Sequence, residues 1–212
     1  MLPRLAQFII LAGLLAGCGK KANDEIDFGT INNSTYSNNY FGLTVTLPAD
    51  WSVQDQEAQK RLMGMAGNLV AGDDKNEKAL IKASELQTFN LFAAFKYPIG
   101  SPVPANPTVL ALAEKVSQLP GIKQGKDYLY HVRQGVESSQ IKMTFPKDIY
   151  PQKLGGVDFD VMDAQLAMNG KTVNEKYYCT IKKGYALTFI VAFESDQLDP
   201  AQQKFLDSVA FK

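Results

Sequence analysis

Histidine occurs once in this sequence, at His131, so any Ser-His or Cys-His nucleophilic pair would have to use that single imidazole. Its neighbours Tyr130 and Arg133 fall on an amphipathic helical stretch, where a surface or packing histidine is the expected reading. Cysteine occurs only at Cys18 and Cys179, and two thiols with one imidazole are too few for a Cys/His zinc site. Asp73, Asp74, Asn76 and Glu77 could offer oxygens to Ca²⁺, but their spacing lacks the twelve-residue loop pattern and suits the acidic first turn of a helix. Met63 and Met65 are two thioethers at close spacing, which on an apolar helix read as core filler rather than a copper site. Asp158 and Asp160 alternate to one side of a strand and could act as paired carboxylates, but with no third partner in view the solvated start of that strand explains them better. No Gly-x-Ser-x-Gly elbow, phosphate-cradling glycine loop or His-Glu-x-x-His helix occurs. These residues predict neither an enzyme nor a bound cofactor or metal.

Composition narrows the classes further. Among 212 residues, 22 Lys+Arg balance 22 Asp+Glu, which leaves no basic excess to neutralise phosphates and argues against nucleic-acid binding. A hydrophobic fraction of 45% with 10% aromatics supports one folded core rather than disorder.

The first 17 residues read as a signal peptide: Arg4 supplies a positive charge, and Leu5 to Ala16 form an apolar run too short to span a bilayer. The run closes on Leu15-Ala16-Gly17-Cys18, which resembles the lipobox of bacterial lipoproteins. That resemblance implies cleavage before Cys18 and acylation of its sulfur. Two or three acyl chains hold a protein on a membrane stably, whereas one alone binds marginally. Gly19 rather than Asp after the cysteine resembles outer-membrane sorting, so the expected location is the cell envelope, on the periplasmic side of the outer membrane where two membranes exist. Once Cys18 is acylated, Cys179 has no intrachain partner and reads as a small buried hydrophobe. Residues 18–35 read as the lipidated cysteine and a polar, Asn-rich tether with a root-mean-square span of roughly 23 Å.

A single domain is expected over 36–212. Phe41, Leu43, Val45 and Leu47 alternate along a strand ended by Pro48. Helical spacing predicts helices over 55–70 and 74–86, and Thr88 to Tyr97 alternates again with Phe89, Leu91, Ala93 and Phe95 on one face. Asn106-Pro107 looks like an N-cap with proline at the first helical position, predicting a helix over Val109 to Leu119. Another helix is expected from Lys126 to Ser138, then a short strand at Ile141 to Phe145.

Three strands follow, over 157–168, 171–181 and 185–193, and Asn169-Gly170 is a two-residue hairpin signal between the first two. A three-residue loop at Lys182-Lys183-Gly184 would gather Tyr177, Cys179 and Ile181 with Leu187, Phe189 and Val191 on one core face, and is preferred over a two-residue loop. The opposite face would then hold Tyr178, Thr188 and the cross-strand pair Asp163 and Lys176. That face reads first as an outer sheet face partly covered by a flanking helix; the sharper reading is a docking surface, with Tyr178 supplying contact area and the charges setting register. Pro200 to Ser208 closes the domain as a helix.

The strand Tyr40-Phe41-Gly42 to Leu47-Pro48 with Trp51 three residues later, the Gly155-Gly156 pair entering a meander, and the Ser208-Val209-Ala210-Phe211-Lys212 tail resemble the PsbP/Mog-like family. The resemblance implies an α+β domain with a central antiparallel sheet flanked by helices, used for docking and assembly rather than chemistry. The expected function is a membrane-anchored, non-catalytic binding or assembly module with a protein partner; the alternative is a small-ligand or lipid-carrying lipoprotein, since an aromatic-rich sheet under helices can enclose a pocket.

The anchor is directly testable. Cys18→Ala is expected to abolish incorporation of a fatty-acid probe in metabolically labelled cells; labelling equal to wild type would refute the lipobox reading.

Overall fold

A computed structural model describes residues 26–73, 75–139, 141–168 and 170–212. The signal peptide, Cys18 and the segment up to residue 25 lie outside the described residues. In chain order the elements are β1 (Thr30–Asn32), β2 (Thr35–Asn38), β3 (Leu43–Thr46), β4 (Ser52–Val53), α1 (Gln56–Ala71), α2 (Lys75–Glu85), β5 (Thr88–Phe95) and β6 (Thr108–Lys115). There follow α3 (Gly125–Ser138), β7 (Met143–Thr144), β8 (Tyr150–Leu154), β9 (Val157–Met168), β10 (Lys171–Lys182), β11 (Tyr185–Phe193), α4 (Pro200–Asp207) and β12 (Ala210–Phe211). The fold class is α+β, with every strand pair antiparallel.

Two sheets form. A small one runs β1-β2-β3-β12, and a large one runs β4-β5-β6-β11-β10-β9-β7 with β8 also paired to β9. The inner face of the large sheet meets the small sheet and α4 in an aromatic core that contains Tyr36, Phe41, Phe92, Phe159, Phe189 and Phe205. Phe189 stacks on Phe159 at 5.7 Å between ring centres and meets Phe205 edge-on at 5.9 Å, arrangements favoured by the ring quadrupoles. The outer face carries a second core in which Tyr128 and Leu129 of α3 cover Met162, Cys179 and Ala186. The helical pair α1–α2 lies over β5 on that same outer side, with Leu62 and Met63 lining a cleft against Ala93 and Leu110. Among the described residues, the two cores together reach from Ile26, ahead of β1, to Val209, beside β12.

Local chemistry sets the helix ends. Asp55 caps α1 by accepting from Ala58 N at 2.7 Å, and Asp199 and Gln202 form a reciprocal capping box at α4, with Pro200 in its first turn. At α3, the carboxylate of Asp160 in β9 accepts from Lys126 N at 2.8 Å, a tertiary cap drawn from the sheet beneath. Gly125 lies against β10 so closely that a Cβ there would collide with the carbonyl of Cys179.

Four expectations are corrected. Residues 26–35 are not tether: Ile26 is buried in the aromatic core, Thr30–Asn32 pairs with Thr35–Asn38, and Tyr36 is 1% exposed. Val109 to Leu119 is not a helix, because its first half is β6, a central strand buried on both faces by alternating Val109, Ala111 and Ala113 against Leu110 and Leu112. Asn106 does not cap a helix; its side chain donates to Tyr97 O and accepts from Tyr97 N, bracing the proline-rich loop. In β5 a bulge between Asn90 and Phe92 moves Phe92, not Ala93, into the aromatic core.

A further correction concerns the meander. Lys182 pairs with Tyr185, so the β10–β11 loop has two residues, Lys183 and Gly184, with φ of 51° and 81°: a left-handed pair of the kind that matches strand twist. Tyr178 therefore lies opposite Phe189 and Cys179 opposite Thr188, the reverse of the preferred register. The large apolar side chains do not share one face because both faces are covered. Tyr178, 2% exposed, belongs to the aromatic core.

This register makes a stability prediction that the docking-face reading denies. Tyr178→Ala is expected to cost about 3–5 kcal/mol, lowering the melting temperature by on the order of 10 °C. Cys179, fully buried with its thiol pushed up to about 12 by burial, should stay inert to maleimide in the native protein.

Candidate functional site

The four residues expected to form a docking face divide between the two faces of the sheet. Tyr178, Lys176 and Asp163 face inward, whereas Thr188 is buried on the outer face across from Cys179. Asp163 and Lys176 do pair across β9 and β10, at 2.9 Å. They belong to a larger network: Lys147 reaches Asp163 at 2.8 Å, the Tyr150 hydroxyl donates to Asp163 at 3.0 Å, and Lys176 donates to that hydroxyl at 3.1 Å. Lys147 also sits 4.3 Å from the centre of the Tyr150 ring. Burial pushes the Asp163 carboxyl up, but hydrogen bonds from Lys147 and Lys176 outweigh it and hold the group below the usual range. This network fastens β8 and the 147 loop to the edge of the main core. It is structural, and only its Asp163–Lys176 register was foreseeable.

The outer face holds a different arrangement. Helices α1–α2 cover β5, α3 covers β9 and β10, and between them a strip of β6, β11 and β10 presents Leu110, Ile190, Ala192, Glu175 and Tyr177, each half-buried. One end of the strip is closed by Glu114, which accepts from Ser84 at the end of α2 (3.0 Å) and from the Tyr128 hydroxyl of α3 (2.7 Å). A single carboxylate of β6 thus moors both helical units. Farther along, the Tyr177 hydroxyl donates to Glu175, and burial pushes that carboxyl above its ordinary range with the tyrosine pulling it partly back. The result is a half-buried apolar strip between the helical units, with one poorly solvated carboxyl beside it. The sequence pattern did not reveal it, because Glu175 and Tyr177 fall on this face only in the two-residue register; the Lys183-Gly184 dipeptide was the available signal.

The other candidates have structural places. His131 is exposed on α3, edge-on to Tyr130 at 6.3 Å. Asp158 pairs with Lys153 at 2.6 Å in the open while Asp160 caps α3, so the two carboxylates are separately engaged. Met63 lines the cleft under α1 whereas Met65 is 66% exposed, so the two thioethers are not joined. Among the described residues no three His, Cys, Asp or Glu side chains form a metal-binding group. The cleft under α1 holds about 50 Å³, and an open cleft of about 250 Å³ lies beside Lys123, Gly125, Pro151 and Asp160. No helix of the described residues is long and apolar enough to cross a membrane.

No protein-family model matches this chain, and no curated protein matches it. Among solved structures it is similar to cyanobacterial PsbP from Synechocystis, at 11% identity and a TM-score of 0.49, covering 94% of this chain and 100% of that one. It is also similar to LpqN of Mycobacterium tuberculosis, described as involved in cell envelope biogenesis, at 13% identity and a TM-score of 0.45, covering 80% and 83% of the two chains. A Pseudomonas aeruginosa protein of unknown function is similar at 14% identity and a TM-score of 0.42, covering 59% and 81%.

The Asp163 network carries a pH dependence. A carboxyl held low in the folded state adds stability above its unfolded pKa of about 3.9, and that stability is lost as pH falls through the folded value. Asp163→Asn is therefore expected to destabilise the protein by about 2 kcal/mol at neutral pH, with the difference from wild type shrinking below about pH 4. Urea denaturation at pH 7 and pH 3 measures this; a constant difference would contradict it.

Proposed function

We propose that this protein is a membrane-anchored, extracytoplasmic lipoprotein that binds a protein partner and performs no catalysis. The lipobox at Leu15-Ala16-Gly17-Cys18 supports the anchor, and Gly19 favours the periplasmic side of an outer membrane where there is one. The observation that carries the binding role is the outer-face strip between α1–α2 and α3. Its Leu110, Ile190 and Ala192 leave apolar surface partly open in the middle of a sheet that is otherwise covered on both faces. Partner side chains of apolar character fit such a surface, and Glu175 beside it suits a partner amine or amide, which would restore the hydrogen bonds that burial withholds.

The carrier reading has less support. A pocket for a lipid or a drug-sized ligand occupies roughly 300–1,000 Å³, whereas the apolar cleft under α1 offers about 50 Å³. The larger cleft by Gly125 is open and lined in part by Lys123, Asp158 and Asp160.

A photocrosslinking residue in place of Ile190, in the acylated full-length protein expressed in its own envelope, is expected to yield one dominant protein adduct. The same residue in place of the exposed Tyr130 on the far side of α3 should not yield it. Equal adducts from both sites, or recovery of lipid alone from position 190, would overturn the reading.

A further inference from the structure

The two ends of the large sheet treat charge differently. At the end where β9 passes into β10, beside the proline-rich loop, Lys171 pairs with Glu194, and Lys96 with Asp199 at 2.6 Å. At the opposite end, Lys115, Lys182, Lys183 and Lys212 have no carboxylate partner among the described residues. Strand pairing and a backbone hydrogen bond bring these four to one end. Lys115 pairs with Tyr185 across the strands, and Lys182 and Lys183 precede it in the turn. Lys212 N donates to Gly42 O, two residues from Tyr40.

Aromatic rings hold two of the ammonium groups in place. Lys183 sits 4.8 Å from the centre of the Tyr40 ring, and Lys182 the same distance from Phe211. Large apolar groups are exposed at the same end: Phe28, 47% exposed, leans on Phe89, and Leu86, 77% exposed, precedes Gln87, whose carbonyl accepts from Lys115 N. The nearby carboxylates are Asp27, which accepts from the backbone of Gly29 and Tyr40, and exposed Glu85.

The first described residues also lie here. Ile26 is the first of them and is buried next to Asp27 and Phe28. Only eight peptide steps separate Ile26 from Cys18, a reach of at most about 29 Å and a root-mean-square span of roughly 15 Å. An acylated Cys18 would bring this end, and not the opposite one, to the headgroups.

We propose that this lysine-rich, aromatic end is a docking surface for an anionic lipid bilayer, with Lys115, Lys182, Lys183 and Lys212 facing acidic headgroups and Phe28 and Leu86 entering the interface. The orientation deepens the anchored reading, yet the electrostatic attraction does not require the anchor. Each lysine near an anionic surface tightens binding by about fivefold, an effect screened by salt.

The test uses residues 26–212, which hold both cores, in co-sedimentation with vesicles of phosphatidylcholine alone and with added phosphatidylglycerol. Sedimentation is expected with the anionic vesicles at low salt and not with the neutral ones. Lys182→Glu with Lys183→Glu should weaken it at least about thirtyfold, while the melting temperature stays near wild type because Lys183 is exposed in the turn and Lys182, the last residue of β10, has no ion pair among the described residues to lose. Lys171→Glu at the opposite end is the control and should not weaken it comparably. Equal binding to both vesicle types, or equal weakening by the Lys171 variant, overturns the proposal. Should Cys18 prove unacylated in labelled cells, the anchored reading fails while this result stands independently.

Discussion

A large antiparallel sheet buried on both faces is the constraint from which the rest of the structure follows. Such a sheet admits one register, since a slip by one residue would exchange the aromatic inner set for the outer set under α3. The left-handed pair Lys183 and Gly184 fixes that register, sending Tyr178 and Phe189 to the small sheet and Cys179 and Ala186 to α3. Small residues allow the layers to close. Ala94, Ala111 and Ala113 leave room on the inner face for Phe92 and Phe189, and Gly125 lets the start of α3 rest on the backbone of β10.

Polar groups drawn into these layers are used as fasteners. Gln202 of α4 is fully buried, donates to Thr108 O at 3.1 Å and Ala192 O at 2.8 Å, and accepts from Asp199 N, so it ties α4 to the ends of β6 and β11 while completing the helix cap. Glu114 does the same for the outer layer through Ser84 and Tyr128, and Asp163 for the sheet edge through two lysines and Tyr150. Buried polar groups satisfied in this way cost little and fix geometry, whereas loss of one partner strands the other. Of the paired carboxylates the sequence offers, Asp160 is likewise engaged as a fastener, holding the start of α3 to β9.

The functional reading rests on what this scaffold leaves unfinished. The strip of Leu110, Ile190 and Ala192 stays half-buried on the outer face, and among the described residues the lysines without a carboxylate partner gather at the end that holds Asp27 and Phe28. On the proposed reading, a short tether would hold that end near the membrane, while the strip, on the outer face, would stay available to a partner.

Sequence alone determined the parts governed by local chemistry. Alternation in Leu43, Val45 and Leu47 marked β3, aspartate and proline marked the starts of α1 and α4, and the two-residue spacing at Asn169-Gly170 fixed Asp163 opposite Lys176. It also identified Cys179 as buried, although by a register that the structure reverses. What only the tertiary structure decided was which side of each strand meets which layer. A strand covered on both faces carries apolar residues at every position, so β6 read as a helix and the meander as having one core face. The expected docking face of Tyr178, Lys176, Asp163 and Thr188 dissolved for that reason, and the strip with Glu175 and Tyr177 took its place. Periodicity reports how often a side chain is buried; it does not report against what.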